Sequence, residues 1–254
     1  MEKQELTRND LAVNFIATRI VDNWAKNAPS CWKHNSPCCL CSAPALHEYS
    51  GLCKSCTADL PKNDRACPAC AVSMSSQLLC PECMQHPNHD ISSIFTLYKY
   101  EYPINRLIQD MKYQARIDIA YNLGKQLGFA ILSRGLPIPD CIIPVPLHSS
   151  RATERGYNQS LEIARPISNI LGIPVDLKTC KRNRRTPSQT GLSAIQRKRN
   201  IRGAFTITRT PSYKHAVIID DVVTTCSTVR EMAKVLLRAG IKHLDVWACA
   251  RASC

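Results

Sequence analysis

No apolar stretch in this 254-residue chain approaches the ~18 residues that a membrane span needs. Residues 1–10 are charged rather than apolar, so we expect neither an anchor nor an export signal. Aromatics are scarce, at 6%, which leaves little material for an extended base-stacking surface. Acidic residues are missing altogether from 181–203, a segment that holds eight Lys or Arg (Lys181, Arg182, Arg184, Arg185, Arg197, Lys198, Arg199 and Arg202). The formal charge is +13, from 33 basic and 20 acidic residues, and residues 101–254 carry essentially all of it. A polyanionic partner is expected, either nucleic acid or a polyphosphate small molecule.

Hydrophobic residues at 44% provide an ordinary core and exclude wholesale disorder. Fifteen cysteines are many. Without an export signal they suggest a cytoplasmic protein whose thiols bind metal, rather than a disulfide scaffold.

Three zones separate by composition. Residues 1–30 read as a leading helix, with Leu11, Phe15, Ile16, Ile20 and Trp24 near helical spacing. Residues 31–90 hold ten of the cysteines, many prolines and almost no periodicity. Residues 91–254 alternate short apolar runs with amphipathic stretches, which predicts an α/β domain with a parallel sheet and flanking helices. In this last zone Ile104, Leu107, Ile108 and Met111 mark one helix, and 117–133 a second. Cys141-Ile142-Ile143, Ala216-Val217-Ile218-Ile219 and residues 244–248 read as strands. Residues 181–200 show neither period and read as a long basic loop.

Four C-x-x-C pairs occur in order: Cys38/Cys41, Cys53/Cys56, Cys67/Cys70 and Cys80/Cys83, with 11, 10 and 9 residues between them. Each pair supplies two thiolates from one tight knuckle, and two knuckles complete a tetrahedral site, so two structural zinc ions are expected. Sequential pairing of knuckles, as in a double zinc ribbon, is favoured over a cross-braced pairing of alternate ones. Such a ribbon is compositionally distinct from residues 91–254, and losing one cysteine is expected to leave the C-terminal domain largely intact. Cys31 and Cys39 are surplus to the pairs, and His34, His47, His86 and His89 are nearby substitutes, expected to be exposed rather than ligating.

The most informative segment is Val217-Ile218-Ile219-Asp220-Asp221-Val222-Val223-Thr224-Thr225-Cys226-Ser227-Thr228. An apolar strand ends in two carboxylates, then a hydroxyl-rich turn leads into a helix marked by Val229, Met232, Ala233, Leu236 and Leu237. Thr228-x-x-Glu231 reads as a capping box and Gly240 as a stop. Amide groups and the positive helix end suit a phosphate. The carboxylates suit sugar hydroxyls or hydrated Mg²⁺. Together they predict a ribose-phosphate site at the carboxyl end of a parallel strand.

This segment resembles the phosphoribosyl-pyrophosphate (PRPP) signature of type I phosphoribosyltransferases. The resemblance implies that Asp220 and Asp221 meet the ribose hydroxyls, while Val223, Thr224, Thr225, Cys226, Ser227 and Thr228 wrap the 5′-phosphate. Cys226 stands where those enzymes usually have glycine, and its Cβ is compatible with the turn only if φ is negative. With the knuckles, Met111-Lys112-Tyr113, Pro144-Val145-Pro146-Leu147, Arg155-Gly156-Tyr157-Asn158-Gln159, Gln189-Thr190-Gly191-Leu192, Arg197-x-x-Asn200 and Gly203-Ala204-Phe205, the likeness narrows to the ComF group of competence proteins, over about residues 36–251.

By that resemblance, Pro146 and Leu147 lie at the pyrophosphate, Lys112 and Arg155 neutralise it, and 184–200 is a mobile loop. It implies Mg²⁺ with PRPP or a related ribose phosphate, and a role in natural transformation. Single-stranded DNA would be held by Lys181, Arg182, Arg184, Arg185, Arg197, Lys198 and Arg199, with other competence or recombination proteins as partners. The alternative is an active phosphoribosyltransferase with an unidentified acceptor; no base pocket and no catalytic residue is readable. Asn158 and Gln159 fit a helix cap as well as a ligand contact, His148 fits a local hydrogen bond, and Pro166 predicts a kink or a late start in the helix after Gln159.

Overall fold

The computed structural model describes residues 37–44, 51–75, 78–87, 89–184 and 194–253. The expected helix over 1–30, together with Cys31, His34, His47, Arg185 and Gln189-Thr190-Gly191-Leu192, lies outside the described residues.

The centre is a four-stranded, all-parallel sheet built from β1 (Ser93–Lys99), β2 (Cys141–Pro144), β5 (His215–Val223) and β6 (His243–Arg251), in the order β1-β6-β5-β2. The apolar runs at 141–143 and 216–219 form buried strands because helices cover both faces of the sheet. β1 carries its own β-branched and aromatic run, Ile94, Phe95, Thr96 and Tyr98, a strand signal that the expected elements did not include.

Side-chain alternation along the strands produces two cores. On one face Ile142, Val217, Ile219 and Trp247 pack with helices α3 (Ile104–Tyr113), α4 (Ile117–Ser133) and α6 (Gln159–Leu171). Ile104, Leu107, Ile108 and Met111 are all buried, as their i, i+3, i+4, i+7 spacing requires. On the other face Ile143, Ala216, Ile218, Val246 and Ala248 pack with Val229, Met232, Ala233 and Leu236 of α8 (Ser227–Arg238).

α6 starts at Gln159 and runs through Pro166 without a late start. Pro166 supplies no N–H, and its ring is turned to packing instead. A Cβ on Gly124 of α4 would lie 2.3 Å from the Ile163 carbonyl oxygen and 2.8 Å from Pro166 Cγ. Glycine at 124 therefore sets how closely α4 and α6 approach.

The cysteine-rich segment forms two knuckle pairs with short helices α1 (Lys54–Ala58) and α2 (Pro81–Gln85). Contrary to the expectation of a separable ribbon, both pairs share cores with the sheet. Cys38, Leu52 and Leu60 join the face of α3 and α4, while Cys67, Cys70, Cys80 and Cys83 join the face of α8. Backbone bonds dock the segment along β1, with Asn63 N donating to Leu97 O (3.0 Å) and Lys99 N to Pro61 O (2.8 Å). The opposite edge is covered likewise, Ile142 N donating to Pro174 O (2.9 Å) and Asp176 N to Ile142 O (2.8 Å).

The expected long loop over 181–200 is instead bracketed by structure. β3 (Cys180–Arg182) pairs antiparallel with β4 (Phe205–Ile207), and α7 spans Ala194–Ile201. A three-residue strand is too short for its period to show in sequence, and only its partner across the ladder stabilises it.

Candidate functional site

The four knuckles come together in sequential pairs. The Sγ atoms of Cys38, Cys41, Cys53 and Cys56 lie within 4.8 Å of one another, as do those of Cys67, Cys70, Cys80 and Cys83. Cys41 Sγ is 3.6 Å from Cys53 Sγ, and Cys70 Sγ is 3.6 Å from Cys80 Sγ. A zinc–thiolate tetrahedron, with bonds of about 2.3 Å, has edges of about 3.8 Å, so the donor sets fit and each group could hold one ion.

One thiol in each group, Cys38 and Cys67, is held below its ordinary value, while burial and neighbouring cysteines raise Cys56, Cys70 and Cys83. Cys53 and Cys80 are the N-caps of α1 and α2, accepting from Cys56 N (3.5 Å) and Cys83 N (3.4 Å). Burial alone would raise the Cys38 thiol, but the amides of Cys41, Cys53 and Leu40 outweigh it and bring it down to about 6. The Cys67 thiol is lowered to about 7 against the same opposition, by the amides of Cys80, Ala69 and Cys70. Cys39 belongs to neither group, and burial, then the charges of Cys38 and Asp118, push its thiol up to about 12.

The second site opens where β2 stops. β2 pairs with β5 only as far as Pro144 opposite Ile219, whereas β5 continues to Val223 against β6. Asp220 and Asp221 thus lie within the strand rather than beyond it, beside a cleft of about 290 Å³. Such a crevice at the carboxyl ends of parallel strands is the usual ligand position in an open α/β sheet.

Asp221 is buried, and its Oδ1 lies 3.0 Å from Lys112 Nζ. Its Oδ2 is buried with no hydrogen-bond partner, an arrangement that costs free energy until a donor or cation arrives. Asp220 Oδ1 accepts from Asp221 N (2.9 Å) and faces Ser160 Oγ at 3.4 Å. Loss of solvent and then the Asp221 charge raise the Asp220 carboxyl to about 7, against the opposing pull of Lys112.

The turn after β5 leads into α8, whose N-cap is Cys226 at φ 58° and ψ 5°. The condition of negative φ is therefore not met, and a side-chain-bearing residue occupies the left-handed region. α8 begins at Ser227, ahead of the start that the capping box implied. Glu231 instead accepts from Gly203 N (2.7 Å), tying α8 to the end of α7. Thr225 Oγ1 and Ser227 Oγ are 2.7 Å apart. Thr224, Cys226, Ser227 and Thr228 face the cleft along with the α8 amide end, and Val223 lines it too.

Lys112, Leu147 and Arg155 also line the cleft, whereas Pro146 and Thr225 do not. Arg155 lies over the Tyr113 ring, 5.8 Å from its centroid. Asn158 is the N-cap of α6, accepting from Ser160 N (3.0 Å) and donating to Val145 O (3.1 Å), so it both starts the helix and fixes the loop after β2. His148 caps α5 (Ser149–Arg155) through Ser150 N.

The basic segment divides. Lys181, Arg184, Arg199 and Arg202 are exposed, and Arg184 Nη2 donates to Asn200 O (2.6 Å). Arg197 and Lys198 lie within α7. Arg182 points the other way, buried at 9% exposure over Phe205 and lining the cleft. Burial first, then Arg151 and Arg184, lower its guanidinium to about 10. Sequence reasoning placed Arg182 with the exposed cations and missed Arg151 and Ser160 as cleft residues. Alternation along β3 separates Arg182 from Lys181, but it is visible only once the pairing with β4 is known.

The chain is 37% identical over 219 residues to the DNA utilization protein YhgH of Salmonella typhi, covering 84% of this chain and 96% of that protein. It is 32% identical over 227 residues to Competence protein F of Haemophilus influenzae, covering 86% of this chain and 98% of that protein. Among solved structures it is similar to a purine phosphoribosyltransferase from Pyrococcus horikoshii Ot3, with 17% identity and a TM-score of 0.30, over 52% of this chain and 80% of that one. No protein-family model matches.

Proposed function

The chain belongs to the family of Competence protein F and YhgH, and from that membership we propose that it serves DNA utilization in the cytoplasm, binding PRPP with Mg²⁺ in the cleft and single-stranded DNA on its basic surface. One observation carries the reading. Asp220 and Asp221 stand beside a hydroxyl-lined turn that opens the 12-residue helix α8. The amide end of that helix favours a phosphate, and the buried, unpartnered Asp221 Oδ2 favours a ribose hydroxyl or hydrated Mg²⁺. The cysteine groups hold structural zinc in this reading, because four thiolates leave no open coordination position. Metal analysis of protein purified without chelator should return two zinc ions per chain.

Calorimetric titration with PRPP and Mg²⁺ tests the cleft. Asp221→Asn should weaken binding by about 1.5–3 kcal/mol, the usual worth of a charge-assisted hydrogen bond. Unchanged affinity would put the ligand elsewhere. Release of pyrophosphate from labelled PRPP in the presence of a nucleobase would move the assignment to an active phosphoribosyltransferase.

A further inference from the structure

Arg251, the last residue of β6, is buried and spans two sites that the sequence keeps far apart. Its Nε donates to the carbonyl of Cys70 (2.8 Å), a thiol donor of the second cysteine group. Its Nη1 donates to Val223 O (3.2 Å), Ala252 O (2.6 Å) and Thr224 O. Val223 ends β5 and Thr224 begins the hydroxyl-bearing turn, so one guanidinium holds the second knuckle group and the base of that turn together. The apolar surroundings agree. Cys67, Cys70, Cys80 and Cys83 share a core with Val223, Cys226 and Val229, whereas Cys38, Cys53 and Cys56 pack on the opposite face of the sheet.

We propose that Arg251 is a positioning residue through which metal at the second cysteine group, and not at the first, sets the geometry of the turn at 224–227 and hence its grip on a phosphate ligand. An ion bound by the Cys70 thiolate fixes that residue's backbone and therefore its carbonyl. Planar guanidinium donors transmit position well because their hydrogen bonds keep a fixed mutual geometry. Without the ion no bond holds the four sulfur atoms at fixed positions, the Cys70 carbonyl is free to shift, and the Arg251 fork can no longer serve Cys70 and Thr224 together. The ligand part of this proposal rests on the cleft reading above, and the structural part does not.

Hydrogen exchange of the full-length protein separates the two. In Cys83→Ser, metal analysis should register loss of one ion, and amides at 224–227 should exchange about tenfold faster, the equivalent of one lost charge-assisted hydrogen bond. Protection at 216–219 should persist. Cys41→Ser should also lose one ion and leave 224–227 unchanged. Affinity for PRPP with Mg²⁺ should fall about tenfold in the first variant and hold in the second. Arg251→Lys keeps the charge but loses the fork. It should retain both ions yet show the fast exchange at 224–227, so it decides the matter even if Cys83→Ser fails to fold. Equal exchange at 224–227 in wild type and Arg251→Lys, or in folded Cys83→Ser, overturns the proposal. If the wild-type protein binds no PRPP, the cleft reading falls and the exchange data still decide whether the two sites are linked.

Discussion

Lys112 Nζ and Asp221 Oδ1 lie 3.0 Å apart and join the last turn of α3 to the carboxyl end of β5. The Asp221 side chain is 6% exposed and that of Lys112 22%, so each ion depends on the other for what water would otherwise supply. The resemblance implies that Lys112 neutralises pyrophosphate directly. Its ion pair is with Asp221, and that pairing leaves the remaining carboxylate oxygen available for the ligand.

Breaking this pair from one side should be costly. Lys112→Met leaves Asp221 buried next to Asp220 without a cation and should destabilise the fold by about 3 kcal/mol, the lower range for a broken buried pair. Adding Asp221→Asn should restore most of that loss. Urea unfolding of both single variants and the double variant supplies the cycle; additive losses would mean that the two residues do not interact energetically.

Asp220 gives stability a distinct pH dependence. Its carboxyl is raised to about 7 by burial and by Asp221, while in the unfolded chain it titrates near its ordinary value of about 4. Between those values the folded state holds a proton that the unfolded state has released. The group's contribution to stability therefore falls as pH rises through that window. The unfolding free energy of wild type relative to Asp220→Asn should decline from about pH 4 to about pH 7 and then level off. Parallel curves for the two proteins would contradict this assignment.

Cys226 allows a test in which the smaller side chain is the more stable. The left-handed conformation costs an L-residue roughly 1–2 kcal/mol, and Cys226→Ala keeps that cost while losing the buried thiol. Cys226→Gly loses the same packing but removes the backbone cost. Denaturant titration should rank glycine above alanine by about 1 kcal/mol. Alanine equal to or above glycine would mean that position 226 leaves the left-handed region readily. Removing the Cβ also clears the cleft, so PRPP should bind Cys226→Gly at least as well as wild type.

The exposed cations predict a salt signature for single-stranded DNA. Binding should be nearly independent of sequence and should weaken with salt by about −0.7 in logarithmic slope for each phosphate contacted. Replacing Lys181, Arg199 and Arg202 together by alanine should flatten the slope by about 2. Arg182→Lys should leave the slope unchanged and alter PRPP affinity, because Arg182 faces the cleft. A triple variant with an unchanged slope would remove this surface from the DNA contact.

The parts of the molecule legible in its sequence are those governed by local spacing. Ile104, Leu107, Ile108 and Met111 repeat at helical period and are all buried. The C-x-x-C pairs come together in the sequential order expected of a double zinc ribbon. The Asp220–Asp221 pair and the turn after it do line a crevice. The features that escaped reading depend on partners distant in the chain. Nothing near Arg182 indicates that pairing with Phe205 turns it inward, nothing near Lys112 names Asp221, and nothing near Arg251 names Cys70. Tertiary demand overrode local propensity at the start of α6, which begins at Gln159 despite Pro166, and at Cys226, which the turn holds in a glycine-like conformation.

The backbone bonds that dock residues 61–63 onto β1 change what the cysteine-rich segment is for. A parallel sheet with an uncovered outer strand offers a row of amides and carbonyls to any extended chain that meets it, and thereby invites aggregation. The knuckles act as a permanent cover over that row, anchored at both ends by their cysteine groups. Cutting the chain at the compositional border near residue 90, which looks like a natural place to isolate the sheet domain, would bare β1 and remove part of both cores. The fragment should collect in the insoluble fraction; a soluble, folded fragment would make the border near residue 90 a true boundary between two folding units.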